Sequence, residues 1–227
     1  MFYKLLVIIP AFNEEKVISD TIRGLQKVMP AGSKILVVDD GSGDSTGKVA
    51  RQAGAIVVRH MVNRGLGGAL GTGLHWAKAH DIQYAVTFDA DGQHDPKDLI
   101  LILEPLHKNT ADVVIGSRTK SNWKNIPFDR RLMIAASNLF TWWLFGIRTG
   151  DSLSGFRAFN RIAIEKLQLK TDQMEVSNEF FGEIKRNNLR LTEVPIRVIY
   201  TRYSRSKGQK NSNALDVAMK ILLRLAR

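Results

Sequence analysis

Five short runs constrain this chain more than any other feature: Leu5–Ile9, Ile35–Val38, Ala55–Val58, Tyr84–Phe88 and Asp112–Ile115. Each is apolar almost throughout, without alternation. A strand with one face in water alternates polar and apolar residues, so a strand that does not alternate has to be covered on both faces. Between the runs lie stretches with helical spacing. Glu14–Met29 places Val17, Ile18, Ile22, Leu25 and Val28 on one face and stops at Pro30-Ala31-Gly32. Asp44-Ser45-Thr46 offers caps for a helix to about Gln52, and helices are predicted through Trp76–His80 and over Pro96–Lys108. Strands alternating with helices predict an α/β fold, a Rossmann-like, mostly parallel sheet with helices on both faces. The 227 residues, 44% apolar, suffice for one such core. Ligands of these sheets bind beyond the carboxyl ends of the strands. Asn13-Glu14, Asp39-Asp40 and Asp89–Asp91 all fall just past a strand end, so the site is expected there.

Asp89-Ala90-Asp91 carries the most chemistry. Two carboxylates one residue apart after a strand can share one hard cation, Mg2+ or Mn2+, which also bridges to substrate phosphates. Such an ion would neutralise charge on a departing diphosphate. An isolated Asp-x-Asp is also a common solvated turn; the strand before it and Gly92-Gln93-His94-Asp95-Pro96 after it favour the site. Gln93 can add an oxygen ligand, while His94 reads either as a supporting or phosphate contact or as a turn residue.

Asp39 or Asp40 can hold ribose hydroxyls or a base edge, with Gly41 in a tight turn and a helix cap at Asp44 or Ser45. In Pro10-Ala11-Phe12-Asn13-Glu14, Phe12 can stack on a base and Glu14 accept from it; the alternative is a helix start with an acidic first turn. The glycine-rich stretch Gly65, Gly67, Gly68, Gly71 and Gly73 reads as a turn that either passes close to a nucleotide or packs on the sheet. It lacks the Lys-Ser/Thr of a P-loop. Arg118 ends the fifth strand and is expected to face the cleft of Asp91. Arg130, Arg131, Arg157, Arg202, Arg205 and Lys207 can serve an anionic acceptor or a diphosphate, since arginine suits bidentate phosphate contact.

Beyond residue 118 the pattern changes. Phe128–Gly146 reads as an apolar helix, Thr149–Gly155 as a loop and Leu191–Ile199 as a strand. Residues 170–190 show no clear pattern. The expected organisation is one domain over 1–210, with a nucleotide-binding half to about 118 and an acceptor half over 119–210. An amphipathic basic helix follows over 211–227. The net charge of +11 draws anionic partners, but acidic strand ends would repel a nucleic acid. With no cysteine, disulfides are excluded. No stretch reaches the roughly 18 apolar residues of a membrane span, and Leu5–Ile9 is too short for a signal-peptide core. A cytoplasmic location is expected.

Taken in order, Pro10–Glu14, Asp39-Asp40-Gly41-Ser42, Gly65–Gly73, Asp89–His94 and Ser154-Gly155-Phe156-Arg157 resemble the motifs of family 2 glycosyltransferases. The set is most similar to dolichol-phosphate mannose synthases and related polyprenyl-phosphate glycosyltransferases, over about residues 5–203. The resemblance implies a GT-A fold and inverting transfer of mannose or glucose from a GDP- or UDP-sugar to a polyprenyl or dolichyl phosphate. It implies that Pro10, Phe12, Glu14 and Asp39 bind the nucleoside, and that Asp89, Ala90 and Arg202 contact the nucleotide-sugar. Asp89, Asp91 and Gln93 would hold Mg2+ or Mn2+. Asp91, Arg118 and Arg130 or Arg131 would act at the reacting phosphate, with Ser154–Arg157 on the acceptor side. Position 12 is Phe where Tyr is common, and the Gln-x-x-Arg-Trp of processive synthases is missing.

A hydroxyl acceptor needs a general base. Asp151, Glu175 and Glu179 are available, none compelling. A phosphate monoester, with a second pKa of about 6, is already ionised and needs only positioning cations. The helix over Leu132–Ile147 and the basic tail can lie on the cytoplasmic face of a membrane, with or without a small membrane-protein partner. Ordinary core packing or a dimer contact are the alternatives. Transfer to a glycan hydroxyl, and a non-catalytic nucleotide-binding module, remain the competing functions.

Overall fold

The computed structural model describes residues 4–122, 126–173 and 175–199. The apolar runs form strands β1 (Leu5–Ala11), β2 (Lys34–Asp39), β3 (Ile56–Arg59), β4 (Tyr84–Thr87) and β5 (Val113–Ser117). Two more follow, β6 (Arg157–Asn160) and β7 (Leu191–Pro195). The helices are α1 (Ile18–Gln26), α2 (Thr46–Gln52), α3 (Leu66–Ala79), α4 (Leu99–His107), α5 (Arg118–Asn122), α6 (Phe128–Phe145), α7 (Arg161–Lys166) and α8 (Val176–Arg186). The strands make one seven-stranded sheet in the order β3-β2-β1-β4-β6-β5-β7. All neighbours are parallel except β6, which runs antiparallel to both β4 and β5.

The unalternating strands are covered on both faces. Leu5, Val7 and Ile9 of β1 pack with Ile18, Ile22 and Leu25 of α1 and with Leu99, Ile102 and Leu106 of α4. Leu6 and Ile8 point the other way, toward Leu70 and Leu74 of α3, Ile164 of α7 and Phe180 and Phe181 of α8. The period-two geometry of a strand separates the two cores.

Several expectations are corrected. The glycine stretch is not a turn: α3 begins at Leu66 and contains Gly67, Gly68, Gly71 and Gly73. Gly73 brings α3 down onto the sheet, because a Cβ there would overlap Cγ2 of Ile8, while Gly67 lets the Thr171 backbone approach the start of the helix. The first helix spans only Ile18–Gln26 rather than Glu14–Met29. β6 (Arg157–Asn160) follows the predicted Thr149–Gly155 loop, where the sequence shows no strand pattern. The seventh strand ends at Pro195, and the chain then crosses to the residues after Asp91, with Ile199 N donating to Gln93 O at 2.8 Å and a bridge between His94 and Val198. The unplaced 170–190 region contains α8. β6 and β7 come from the latter part of the chain yet complete the sheet, so the two proposed halves share it. Arg202, Arg205, Lys207 and the tail helix over 211–227 lie outside the described residues. No helix among the described residues is long and apolar enough to cross a membrane.

Asp112 ties together the ends of three strands. It accepts from Arg190 N (2.9 Å), Nε (3.0 Å) and Nη2 (2.9 Å) and from Asn160 Nδ2 (2.8 Å). The Arg190 hydrogen bonds hold its carboxyl down to about 2, against an ordinary 3.8.

Two outcomes are expected. Gly73→Ala adds up to about 1 kcal/mol of helix propensity but overpacks Ile8 at a cost of roughly 1–3 kcal/mol. Its Tm should therefore fall, by about 2–4 °C per net kcal/mol; a rise in Tm would contradict the packing. Because the folded pKa of Asp112 is depressed, its ionised form stabilises the fold above the ordinary value of 3.8, and that contribution is lost as pH falls toward about 2. Urea denaturation of Asp112→Asn should show a constant deficit above pH ~4 that closes on acidification.

Candidate active site

Past β1 and β2 the chain builds a pocket edge. Asp39 is fully buried; its Oδ1 accepts from Ser42 N at 3.0 Å. Its Oδ2 is buried and has no hydrogen-bond partner among the described residues, the nearest cation being Arg59 Nε at 3.7 Å. A buried carboxylate oxygen without a donor is costly unless something supplies one. Asp40 has a different task. It accepts from Arg64 N (2.9 Å) and Gly65 N (2.7 Å) at the start of α3 and from His60 Nδ1 (2.6 Å), whose Nε2 meets Thr72 Oγ1 at 2.9 Å. Asp40 therefore anchors the turn into α3, while Asp39 Oδ2 keeps an unfilled acceptor position among the described residues.

The Pro10–Glu14 segment is fastened to the same loop. Pro10 lies in register with Val38. Asn13 N donates to Ser42 Oγ at 3.0 Å, Asn13 Oδ1 accepts from Gly43 N at 2.9 Å, and Glu14 N donates to Thr46 Oγ1 at 2.8 Å. Asp44, as anticipated, caps α2 by accepting from Thr46 N at 2.9 Å. The Phe12 ring is 44% exposed beside Asp39's loop.

The Asp89–His94 loop leaves β4. Asp89 is recessed rather than sealed: protein surrounds it, yet 37% of its side chain meets solvent. Burial opposes its ionisation, but the His94 hydrogen bond (Nε2 to Oδ2, 2.9 Å) and the charges of His94, Arg118 and Arg157 outweigh it. Its pKa is held below the usual carboxylate value. Asp91 goes the other way: burial, then the charge of Asp89, push it up. The two carboxylates are thus close enough to repel, the condition a shared cation relieves. Gln93 supports Asp91 with both its backbone N (3.0 Å) and its side-chain Nε2, and its Oε1 faces Arg130 Nη1 at 3.4 Å. His94 is buried between the rings of Phe88 and Phe156 and orients Asp89. Ala90 is buried, and its carbonyl accepts from Thr21 Oγ1 at 3.0 Å, tying the loop to α1.

The Thr149–Arg157 segment closes over this loop. A Cβ at residue 155 would overlap the Asp89 carboxylate, so only glycine lets the backbone rest there. Thr87 Oγ1 donates to Gly155 O at 2.7 Å. Arg157 is buried on β6, donates to Ser154 O and Ser152 O at 2.9 Å each, and stacks 4.5 Å from the Phe180 ring. Burial pulls its pKa down to about 10, against the charges of Asp151 and Asp89, so it stays protonated at neutral pH. Arg157 therefore clamps the segment and is not presented to a ligand from solvent.

Arg118 does face this region, but a fork of hydrogen bonds pairs it with Asp151: Nε to Oδ2 and Nη2 to Oδ1, both 2.6 Å. Asp151 also accepts from Arg118 N at 3.0 Å and is wholly buried. Glu179 accepts from Lys170 N, Thr171 N and Thr171 Oγ1 at 2.6–2.9 Å. Glu175 is buried at the start of α8. Arg131 Nε donates to Ile126 O at 2.7 Å. The partnership of Asp151 had no signal in the sequence because Arg118 lies 33 residues away, and the burial of Arg157 had none because it depends on the ring of Phe180.

A mostly parallel sheet carrying a carboxylate pair past β4 is the arrangement expected of a GT-A fold. The profile of Glycosyl transferase family 2 matches residues 6–168, and the chain belongs to that family. It is 36% identical to the UDP-N-acetylglucosamine–dolichyl-phosphate N-acetylglucosaminyltransferase of Methanococcus voltae, over 96% of this chain and 93% of that one. It is 32% identical to the undecaprenyl-phosphate mannosyltransferase of Micrococcus luteus, over 90% and 87% respectively. Glucosyl-3-phosphoglycerate synthase of Mycobacterium tuberculosis, solved with Mn2+, UDP and glucosyl-3-phosphoglycerate, superposes with a TM-score of 0.72. That match covers 98% of this chain and 78% of the other at 19% identity, a likeness of fold.

Since Asp91 is pushed up by burial and by Asp89, its charge destabilises the fold at neutral pH. Asp91→Asn should raise the Tm in chelator-containing buffer at pH 7; a lowered Tm would contradict the repulsion.

Proposed function

We propose that this chain transfers a sugar, with inversion, from a nucleotide-sugar to a polyprenyl phosphate at the cytoplasmic face of a membrane. The observation that carries the reading is the recessed Asp89–Asp91 pair, with two of the three candidate bases, Asp151 and Glu179, already engaged among the described residues. Of the carboxylates available to deprotonate a hydroxyl, Asp151 is taken by Arg118 and Glu179 by the 170–171 backbone. An acceptor phosphate is already ionised and attacks without one. The names of the Methanococcus and Micrococcus relatives, both lipid-phosphate glycosyltransferases, support the same acceptor class.

The residues fit a hard divalent cation. Asp89 and Asp91 offer carboxylate oxygens whose mutual repulsion a cation removes. Among the described residues no group of three or more His, Cys, Asp or Glu could hold a metal. That suits Mg2+ or Mn2+, which take one or two carboxylates and complete their shell with water and substrate phosphates. Bound there, the ion would neutralise charge on the departing nucleoside diphosphate. Gln93 is a further ligand only if its amide turns from Asp91 and Arg130.

The chain's own groups do the rest. Asp39 Oδ2 accepts from the base or ribose, filling its missing hydrogen bond; Phe12 stacks, and Pro10 and Glu14 complete the nucleoside pocket. Ala90 carries the backbone between the carboxylates against the donor. Arg130, beside Gln93, and Arg131 bind the acceptor phosphate, and Arg118 joins them by sharing its guanidinium with Asp151. The resemblance to the family's motifs assigns Arg202, outside the described residues, to the donor phosphates. The phosphate oxygen attacks the anomeric carbon from the face opposite the diphosphate, so the new bond forms as the old one breaks.

The test offers GDP-mannose, UDP-glucose and UDP-N-acetylglucosamine with a short polyprenyl phosphate and Mn2+. One donor should yield lipid-linked sugar. Chelator or Asp91→Ala should lower the rate by about a hundredfold or more. Metal-dependent nucleotide binding without lipid product would remove the acceptor assignment.

A further inference from the structure

α6 is inverted for a helix on the outside of a domain. Such a helix normally turns its apolar stripe inward and its polar residues to water. In α6 the large exposed side chains are Phe128 (78%), Leu132 (65%), Leu139 (63%), Trp142 (47%) and Trp143 (66%). Only alanine is exposed between them, among the side chains described. Their spacing puts them along one face. The polar residues point inward. Asn138 donates to Gly150 O at 2.8 Å and accepts from Ser152 N at 2.9 Å; Ser137 meets Ser152 Oγ at 2.8 Å; Thr141 is buried. A continuous apolar face of this kind marks a surface that something covers.

We propose that this face of α6 is where the protein lies on an anionic lipid bilayer, an assignment that rests on the lipid-phosphate reading above. Three observations select the bilayer. Trp142 and Trp143 sit at one end of the stripe, where indoles favour the headgroup level. Beside them are cations: Arg148 is exposed, and exposed Lys185 reaches the helix end, its Nζ 3.9 Å from a Cβ built at Gly146. These pair with anionic headgroups. Finally, the net charge of +11 draws the chain to an anionic surface and opposes pairing of two copies. The geometry gives the contact a purpose. The inner side of α6 holds residues 150–152, and the same segment continues to Gly155 on Asp89. A bilayer under α6 thus lies across one helix from the reacting centre, and a phosphate at its surface needs no extraction from the membrane.

Flotation of the full chain with vesicles of phosphatidylcholine, with and without phosphatidylglycerol and free of polyprenyl phosphate, tests this. The chain should float with the anionic vesicles and far less with neutral ones. Trp142→Ser/Trp143→Ser should lower partitioning by about tenfold or more, since each indole buries far more apolar surface than a single methylene. Leu139→Glu should act in the same direction, and both variants should melt with the wild type because the positions are exposed. Transfer to a water-soluble short-chain acceptor should be unchanged in the tryptophan variant, while transfer to acceptor embedded in vesicles falls with partitioning. No flotation of the full chain, or equal flotation of the variants, overturns the proposal. So does a dimer that Leu139→Glu splits, which gives the face to a second copy. Flotation lost in the variants without sugar transfer to either acceptor upholds the docking face and rejects the reaction.

Discussion

The Asp89 carboxylate has to remain ionised inside a recess, and much of the chain after residue 118 is arranged around that requirement. Burial works against the charge; His94, Arg118 and Arg157 work for it and prevail. Each supporter is held in turn. His94 is wedged between Phe88 and Phe156, Arg118 is forked onto Asp151, and Arg157 is capped by Phe180. Gly155 brings the backbone against the carboxylate itself. The neighbour, Asp91, has the hydrogen bonds of Gln93 and the charge of His94, but burial and the charge of Asp89 outweigh them and push it toward its neutral form. One acid is held in its charged form and the other is pushed toward its neutral one, an asymmetry that the proposed cation would relieve.

The antiparallel strand β6 makes this possible. Inserted between β4 and β5, it sets Arg157 opposite Thr87 and Ile115, beside the carboxyl end from which the Asp89 loop departs. An all-parallel sheet would have placed β5 next to β4 and left no backbone route for Gly155 to reach Asp89. The loop that enters β6 is also the one that α6 grips through Ser137 and Asn138. The inversion of α6 is therefore one consequence of the same arrangement: its polar side is occupied with the site, and its apolar side faces out.

The chain's motifs announced the chemistry more clearly than the supports. The unalternating strands, the carboxylates just past them and the Asp44 cap were legible because strand period, hydropathy and capping are local properties. The division of labour between Asp39 and Asp40 was not, since it depends on His60 and Gly65, 20 and 25 residues from Asp40. Nor was the start of α3, because glycines that look like a turn in sequence become helix when residues 171–172 pack against Gly67 and Ile8 against Gly73. Arginines with the same appearance in sequence took different parts: Arg157 went inside, Arg118 found Asp151, and Arg130 settled by Gln93.

By itself the sequence determined that strands would be sandwiched between helices and that acidic groups would gather at their carboxyl ends, for side-chain spacing decides both. Tertiary structure alone decided which carboxylate keeps its charge, which arginine is committed and which face of α6 is left to the outside. These depend on desolvation and on partners brought together across the sheet, and neither distance nor burial is written in the order of residues.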